Sequence, residues 1–215
     1  MKNRFDLIVF DWDGTLYDSV DWIVQCIQAA AAHQNLAIPS AAAIKDIIGL
    51  SVENAMLNLF PEACDSTRQQ LILNYSQEFF AKPMTSDNLF PEVPALLTTL
   101  KSRGYRLAIA TGKKTSSLNQ ILAATGLADF FCAIRCADQS ASKPNPAMLN
   151  EIVTELNIPK HRTIMVGDSI HDLQMAINAE IAAIAVSCGA HSRQRLEQFQ
   201  PLVCLNYATD LIDIL

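Results

Sequence analysis

Residues 7–14 read Leu7-Ile8-Val9-Phe10-Asp11-Trp12-Asp13-Gly14, so four apolar residues run directly into two aspartates and a glycine. An unbroken apolar run of this length is typical of a strand that is buried on both faces, as in a parallel sheet. Gly14 indicates a tight loop directly after the strand. The segment therefore predicts an α/β protein with two carboxylates at the end of its first strand.

Similar short apolar runs recur later in the chain and alternate with helical patterns. This alternation predicts right-handed crossovers and a doubly wound parallel sheet, which binds ligands at the carboxyl ends of its strands. The predicted strands are Leu7–Phe10, Leu107–Ala110, Ile134–Ala137, Thr163–Val166 and Ala182–Val186, with Leu202–Leu205 as a candidate sixth. The predicted helices between them are Val93–Arg103, Thr115–Thr125, Pro146–Leu156 and Asp172–Ala179.

Residues 19–82 interrupt this alternation, because they contain helical patterns and no strand pattern. Pro and Gly residues separate the four predicted helices, which are Ser19–Asn35, Ala41–Ile48, Val52–Leu59 and Ser66–Phe80. A helical block inserted after the first strand predicts a small cap at residues 17–83. The core is then residues 1–16 and 84–215, with candidate hinges near Tyr17-Asp18 and Pro83–Asn88.

Composition limits the classes of function. Half of the 215 residues are hydrophobic, which is enough for a sizeable core, and the formal net charge is −6. An acidic chain argues against nucleic acid and anionic membranes as partners, since both attract basic surfaces. The sequence also shows no signal peptide and no apolar run near the ~20 residues of a membrane span. We expect a cytoplasmic protein, either a monomer or a weak dimer.

Six cysteines occur without a C-x-x-C pair, and most lie in apolar runs. This pattern favours reduced thiols in the core of a cytosolic protein over a disulfide framework.

Two of the predicted strands are each followed by a pair of aspartates. Asp11 and Asp13 follow the first, and Asp168 and Asp172 follow the fourth. Carboxylates that meet at one edge of a sheet repel each other, and a hard divalent cation relieves this repulsion. Mg²⁺ prefers oxygen ligands and often binds one or two carboxylates together with substrate phosphate. The pattern predicts a magnesium site.

Donors for a phosphoryl group follow the intervening strands. Thr111 offers a hydroxyl, Gly112 lets its backbone amide approach a phosphate closely, and Lys143 adds a positive charge. Phosphoryl transfer depends mainly on positioning and charge neutralisation, which this set supplies. Within such a site Asp11 could attack phosphorus, while Asp13 could protonate the leaving alkoxide and then activate water.

Four segments resemble the motifs of the haloacid dehalogenase (HAD) superfamily, in the same order and across nearly the whole chain. They are Asp11–Ser19, Ile109–Lys113, Ser142–Pro146 and Gly167–Asp172. The predicted cap resembles that of the phosphoglycolate-phosphatase-like branch. The resemblance implies a HAD-like α/β core with an inserted α-helical cap.

The resemblance also implies a role for each matching residue. Asp11 would be the nucleophile and a metal ligand, and Asp13 the acid/base, with its backbone carbonyl on Mg²⁺. Asp168 would bind the metal directly, and Asp172 directly or through water. Thr111 and Lys143 would bind the phosphoryl group.

Each of these residues also has an ordinary structural interpretation. Asp13-Gly14 is common turn chemistry, Thr111, Ser169 and Asp172 could cap helices, and Lys143 could be a solvated loop lysine. Lys113 and Lys114 could be a solvated pair, or Lys113 could contact the cap or the substrate. Gly49-Leu50-Ser51 could line a substrate cavity or simply break a helix.

We expect a Mg²⁺-dependent phosphatase that acts on a small phosphorylated metabolite, such as phosphoglycolate or a sugar phosphate, through an aspartyl-phosphate on Asp11. A phosphosugar mutase resembling β-phosphoglucomutase would use the same two aspartates and stays an alternative. The resemblance argues against dehalogenation, because dehalogenases of the superfamily lack the aspartate that Asp13 supplies. The complete set of carboxylate, threonine and lysine argues against a non-catalytic binding protein.

Overall fold

The computed structural model describes residues 4–215 of the chain. In this range all neighbouring strands pair in parallel. The strands are β1 Leu7–Phe10, β2 Arg106–Thr111, β3 Ala133–Cys136, β4 Thr163–Gly167, β5 Ala182–Val186 and β6 Cys204–Leu205. They form one sheet in the order β3-β2-β1-β4-β5-β6. The predicted doubly wound α/β fold is confirmed.

Strand β1 lies in the middle of the sheet because its residues are apolar on both faces. Leu7 and Val9 pack into one apolar cluster, whereas Ile8 and Phe10 pack into another on the opposite face. The chain runs from β1 outward to β2 and β3, and later from β4 outward to β5 and β6. The order of the strands therefore reverses between β1 and β4, which is where open α/β sheets bind ligands.

Four helices follow β1, as predicted, and we call them the helical insert. They are α1 Val20–His33, α2 Ala41–Lys45, α3 Val52–Leu59 and α4 Asp65–Phe80. Helix α2 is three residues shorter than the predicted segment Ala41–Ile48. The chain leaves the helix and reaches Gly49, whose φ of 105° is accessible mainly to glycine.

The remaining helices surround the sheet. They are α5 Val93–Ser102, α6 Thr115–Thr125, α7 Ala147–Leu156, α8 Ile170–Ala179 and α9 Arg193–Glu197. Helix α9 was not predicted, because Leu196 is its one apolar residue and the segment therefore shows no helical period. Short 3₁₀ helices lie at Ser86–Asn88, Ala128–Phe130, Lys160–Arg162 and Ala208–Asp213.

The two chain segments that join the helical insert to the core run side by side. The Asp18 amide donates to the Asn88 carbonyl at 2.8 Å, and the Phe90 amide donates to the Leu16 carbonyl at 3.1 Å. The insert also shares the larger apolar cluster with one face of the sheet. The division into a core of 1–16 and 84–215 and a cap of 17–83 stays a prediction, and residues 1–3 of that core lie outside the described range.

In residues 4–215 no helix has both the length and the apolar content that membrane crossing requires. All six cysteines are free, in agreement with the predicted absence of disulfides. The prediction that they lie in the core holds for Cys26 and Cys136, while Cys188 and Cys204 are half-buried against apolar clusters. It is wrong for Cys64 and Cys132, which are exposed. An apolar run in the sequence does not fix which face of a short segment meets the core.

Candidate active site

The carboxyl edge of the sheet brings most of the predicted site residues together. Asp11 follows β1, Thr111 ends β2, and Asp168 follows β4. The central position of β1 between β2 and β4 places these three strand ends next to each other. Lys143 comes from the loop after β3, where the peptide bond to Pro144 is cis.

A buried lysine lies between two of the aspartates. The Lys143 Nζ atom is 2.7 Å from Asp11 Oδ1 and 2.6 Å from Asp172 Oδ1, and its side chain is inaccessible to solvent. The alternative of a solvated loop lysine is therefore wrong. Oxygens of Asp11, Asp168 and Asp172 all lie within 4.8 Å of one another. Three buried carboxylates thus lie together, and Lys143 pairs with two of them, Asp11 and Asp172.

Crowding of the carboxylates changes their proton affinity. Burial raises the pKa of Asp168 to about 7, and the negative charge of Asp172 adds to the effect. Burial and the negative charge of Asp172 also raise the pKa of Asp11 well above its ordinary value, although the positive charge of Lys143 opposes this shift. One ammonium group therefore does not offset the cost of three buried carboxylates.

Asp168 is held rigidly from both sides. The Thr15 hydroxyl donates to its Oδ1 at 2.8 Å, and the Ala190 amide donates to its Oδ2 at 2.7 Å. Two glycines leave room for the carboxylate, since an added Cβ at Gly14 or Gly189 would come within 2.2 or 2.0 Å of Asp168 Oδ2. Gly14 also has a φ of 78°, which a residue with a side chain rarely adopts.

Asp172 has a structural function as well as a place in the cluster. Ser169 is the N-cap of α8 and forms a capping box with Asp172. The Ser169 hydroxyl donates to Asp172 Oδ2 at 2.6 Å, so that Oδ1 is left to Lys143. The helix-cap interpretation of these two residues is correct, and it fixes the carboxylate of Asp172 toward the site.

The side chain of Asp13 points away from the three-carboxylate cluster. Its Oδ1 accepts from the Ser19 hydroxyl at 2.5 Å, and its Oδ2 lies 3.0 Å from Lys113 Nζ. Lys113 is 9% exposed, and its ammonium lies 4.2 Å from the centre of the Phe79 ring in α4. The solvated-pair interpretation of Lys113 is therefore wrong, and the alternative of a contact with the cap is correct.

Thr111 and Gly112 form the wall beside Asp11. The Thr111 Oγ1 atom accepts from the Lys113 amide at 3.2 Å, which leaves its own hydrogen free to donate among the described residues. Gly112 meets the helical insert, since an added Cβ would come within 2.3 Å of the Leu50 carbonyl oxygen and 2.7 Å of that of Gly49. Gly49 and Leu50 line the cavity described next.

A cavity of about 90 Å³ lies between the strand ends and the helical insert. Asp11, Asp13, Thr111 and Gly112 line its core side. Apolar side chains of the insert line the opposite side, and the largest belong to Met56, Tyr75, Phe79 and Phe80.

The insert is fastened to the core at Asp46, beside the cavity. His171 Nε2 lies 2.8 Å from the Asp46 carbonyl oxygen, and Arg195 binds the Asp46 carboxylate. His191 is 3% exposed, with its Nε2 atom 3.6 Å from Asp46 Oδ1. Its burial depends on the position of the insert, which the sequence around His191 does not reveal.

The buried carboxylates fit a divalent cation. They offer only oxygen ligands, as Mg²⁺ prefers, and they carry excess negative charge. Asp11 Oδ2 is buried, and among residues 4–215 it has no hydrogen-bond partner. An unpartnered carboxylate oxygen is costly unless a cation or a donor meets it. Asp13 can take part only through its backbone, because its carboxylate is held by Ser19 and Lys113.

Sequence reasoning missed several supporting residues. Thr15 and Ser19 belong to the same segment as Asp11, and their hydroxyl groups in a loop at strand ends were an available signal. Tyr75 in the cavity wall had no such signal, because only the packing of α4 places it there.

Comparisons with known proteins agree with this architecture. Residues 8–186 match the family described as haloacid dehalogenase-like hydrolase. The probable phosphatase IndB of Dickeya dadantii is 33% identical over 96% of this chain and 91% of its own length. A phosphoglycolate phosphatase of Psychrobacter arcticus is 29% identical over 97% of this chain and 95% of its own length. A putative haloacid dehalogenase-like hydrolase of Bacteroides fragilis has a similar fold, with a TM-score of 0.86, 24% identity, and coverage of 96% and 99% of the two chains.

Proposed function

Since the chain belongs to the haloacid dehalogenase-like hydrolase family, we propose that it is a Mg²⁺-dependent phosphatase of small phosphate monoesters. The observation that carries the proposal is the pair of aspartates after β1, whose two carboxylates have different surroundings. The carboxylate of Asp11 lies in the buried cluster with Lys143, whereas that of Asp13 faces Ser19 and Lys113.

Asp11 is the proposed nucleophile. Lys143 donates to Asp11 Oδ1 at 2.7 Å, which helps to position the carboxylate for attack on phosphorus. Attack forms an oxygen–phosphorus bond on Asp11 and breaks the bond between phosphorus and the alcohol oxygen. The product of this step is an aspartyl-phosphate.

Asp13 is the proposed acid and base. In its protonated form it gives its proton to the leaving alcohol oxygen, and as a carboxylate it then takes a proton from the water that attacks the aspartyl-phosphate. Ser19 and Lys113 hold the Asp13 carboxylate from two sides, so that it keeps one orientation through both steps. Inorganic phosphate and the free alcohol are released, and Asp11 is restored.

Asp11, Asp168, Asp172 and the backbone carbonyl of Asp13 would hold the metal ion. When bound, Mg²⁺ offsets the negative charge of the carboxylates and of the phosphoryl group, which lowers their mutual repulsion. Asp168 is pre-positioned for this by Thr15 and Ala190.

Thr111, Gly112 and Lys143 are the proposed phosphate-binding residues. Thr111 can donate its free hydroxyl hydrogen to a phosphoryl oxygen, and Lys143 supplies a fixed positive charge. Burial alone would lower the pKa of Lys143, but Asp11 and Asp172 outweigh this effect and raise it above its ordinary value. The lysine therefore stays charged, which suits binding of a dianion.

Phosphate release from p-nitrophenyl phosphate tests the proposal. We expect release with Mg²⁺ and none with EDTA. Asp11→Asn should abolish turnover, because a neutral amide does not attack phosphorus, whereas Asp18→Asn should retain it, because Asp18 is exposed. Mass spectrometry of acid-quenched wild-type protein should find a phosphoryl group on the peptide that contains Asp11. Mg²⁺-dependent turnover by Asp11→Asn would refute the role of Asp11.

The same protein distinguishes the mutase alternative. Incubation with a hexose 1-phosphate should give free phosphate, while accumulation of hexose 6-phosphate would identify a mutase. Phosphoglycolate and sugar phosphates are the first substrates to compare.

The six free cysteines support the prediction of a reducing, cytoplasmic location.

A further inference from the structure

The cavity changes in character between its two ends. The core end carries the carboxylates and donors of the proposed phosphatase site, whereas the insert end is mainly apolar. Apolar side chains of three helices form the wall at this end, and they include Ile23 and Ile27 of α1, Met56 of α3, and Tyr75 and Phe79 of α4. The apolar end is continuous with the site, since Lys113 Nζ contacts Asp13 at 3.0 Å and lies 4.2 Å from the centre of the Phe79 ring.

The position of Asp13 indicates that the apolar end receives the alcohol part of the substrate. In the proposed reaction Asp13 protonates the oxygen of the leaving alcohol, so that oxygen faces Asp13. The carbon atoms attached to it then extend toward the surface next to Asp13, which includes the Phe79 ring. Tyr75 and Phe80 continue this aromatic surface, with ring centres 5.8 and 5.3 Å from that of Phe79.

The cations that line the cavity are already paired. Lys113 is buried against Asp13, and Lys114 at the rim lies 2.7 Å from Glu53. A carboxylate on the alcohol, as in phosphoglycolate, would need one of these ammonium groups or would lose its hydration without compensation. No arginine lines the cavity among the described residues.

Hydroxyl groups of a sugar would also find few partners in the wall. The Ser76 hydroxyl already donates to the Ile72 carbonyl at 2.8 Å. Tyr75 offers one phenolic hydroxyl, for which the described residues supply no hydrogen-bond partner. A polyol has several hydroxyls to satisfy, and each one left unpaired against an apolar wall reduces binding.

We infer that the preferred substrates are phosphate monoesters of compact, uncharged, mainly apolar alcohols, with one hydroxyl partner in the insert wall at Tyr75 and one on the core side at Ser117. This inference rests on the proposed function. A cavity of about 90 Å³ holds a group of several non-hydrogen atoms. The apolar wall favours such a group because its burial removes apolar surface from water.

A series of n-alkyl phosphates tests this inference at nearly constant leaving-group chemistry. We expect kcat/KM of the Mg²⁺-loaded protein to rise about fourfold per methylene from ethyl to butyl phosphate, until the wall is covered. Butyl phosphate should exceed both phosphoglycolate and glucose 6-phosphate.

Two lysine substitutions on helix α3, one inside the cavity and one outside it, test the apolar wall directly. Val52 lines the cavity from α3 and is half-buried, whereas Leu57 on the same helix is 49% exposed and does not line it. Val52→Lys should flatten the alkyl series and raise kcat/KM for phosphoglycolate, while Leu57→Lys should behave as wild type.

The outcomes separate the two proposals. A flat alkyl series together with faster turnover of phosphoglycolate or glucose 6-phosphate would overturn the substrate class and leave the phosphatase intact. Absence of Mg²⁺-dependent phosphate release from every ester would overturn the phosphatase itself. The wild-type series decides the substrate class even if Val52→Lys does not fold.

Discussion

The Lys143→Met variant tests whether the buried cluster depends on its single ammonium group. Nζ of Lys143 lies 2.7 Å from Asp11 Oδ1 and 2.6 Å from Asp172 Oδ1, with no solvent contact. Removal of one partner from a buried ion pair typically costs about 3–5 kcal/mol. Because Lys143 pairs with two carboxylates, we expect a loss of about 5 kcal/mol in the free energy of unfolding at neutral pH without metal.

Urea-induced unfolding in EDTA measures this loss, and Lys114→Met is the matched control. Lys114 also pairs with a carboxylate, at 2.7 Å from Glu53, but both side chains are largely exposed. Its removal should cost at most about 1 kcal/mol, since water and salt screen exposed pairs.

A double-mutant cycle with Asp172→Asn identifies the cause of the loss. In the Asp172→Asn background, Lys143→Met leaves one uncompensated carboxylate instead of two. Its cost in the free energy of unfolding should therefore be about 1–3 kcal/mol smaller than in wild type. Added Mg²⁺ should restore more stability to Lys143→Met than to wild type, because a cation replaces the missing charge. The reasoning fails if Lys143→Met costs no more than Lys114→Met, or if the cycle is additive within about 0.5 kcal/mol.

Three further predictions concern proton affinity, packing and thiol reactivity. Because burial raises the pKa of Asp168 to about 7, the folded state keeps a proton that the unfolded state releases, so stability in EDTA should fall as pH rises from about 4 to 7. Urea unfolding at several pH values should show a smaller slope for Asp168→Asn; an unchanged slope would contradict the assignment. Gly189→Ala should lower the free energy of unfolding by about 1–3 kcal/mol in the same assay and weaken Mg²⁺ activation, because the added Cβ would lie 2.0 Å from Asp168 Oδ2. Gly104→Ala is the control, since its added Cβ meets open space and tests backbone strain alone. Hydrogen bonding from Ser66 lowers the pKa of Cys64 to about 7, so alkylation of Cys64, followed by peptide mass spectrometry, should reach half its maximal rate near pH 7, and Ser66→Ala should move that midpoint upward.

The sheet and the phosphoryl end of the site could be predicted from sequence because short local segments determine both. The apolar run Leu7–Phe10 is buried on both faces, so it has to lie in the interior of the sheet. Once β1 is central and parallel to β2 and β4, the residues that follow these strands meet at one edge. Asp11, Thr111 and Asp168 therefore converge for reasons that each segment shows by itself.

The other side of the site depends on packing between distant segments, which local patterns do not reveal. Lys113 carries an ordinary sequence signal for a solvated helix start, yet Asp13 and Phe79 bury it. His191 is covered because Asp46 of the insert packs over it. In both cases the deciding partner lies in the insert, and its position relative to the sheet follows from the whole apolar cluster rather than from any single motif.

The reacting groups and the alcohol-binding wall come from different parts of the chain, so substrate preference can change independently of the reacting groups. The groups proposed to act on phosphorus come from strand ends of one rigid sheet, whereas the wall that would receive the alcohol comes mainly from α1, α3 and α4. Substitutions at Tyr75 or Phe80 can therefore alter the alcohol that fits without moving Asp11. Lys113 is the exception, because it contacts both Asp13 and Phe79. A change at Phe79 should for that reason affect the rate of the chemical step as well as the choice of alcohol.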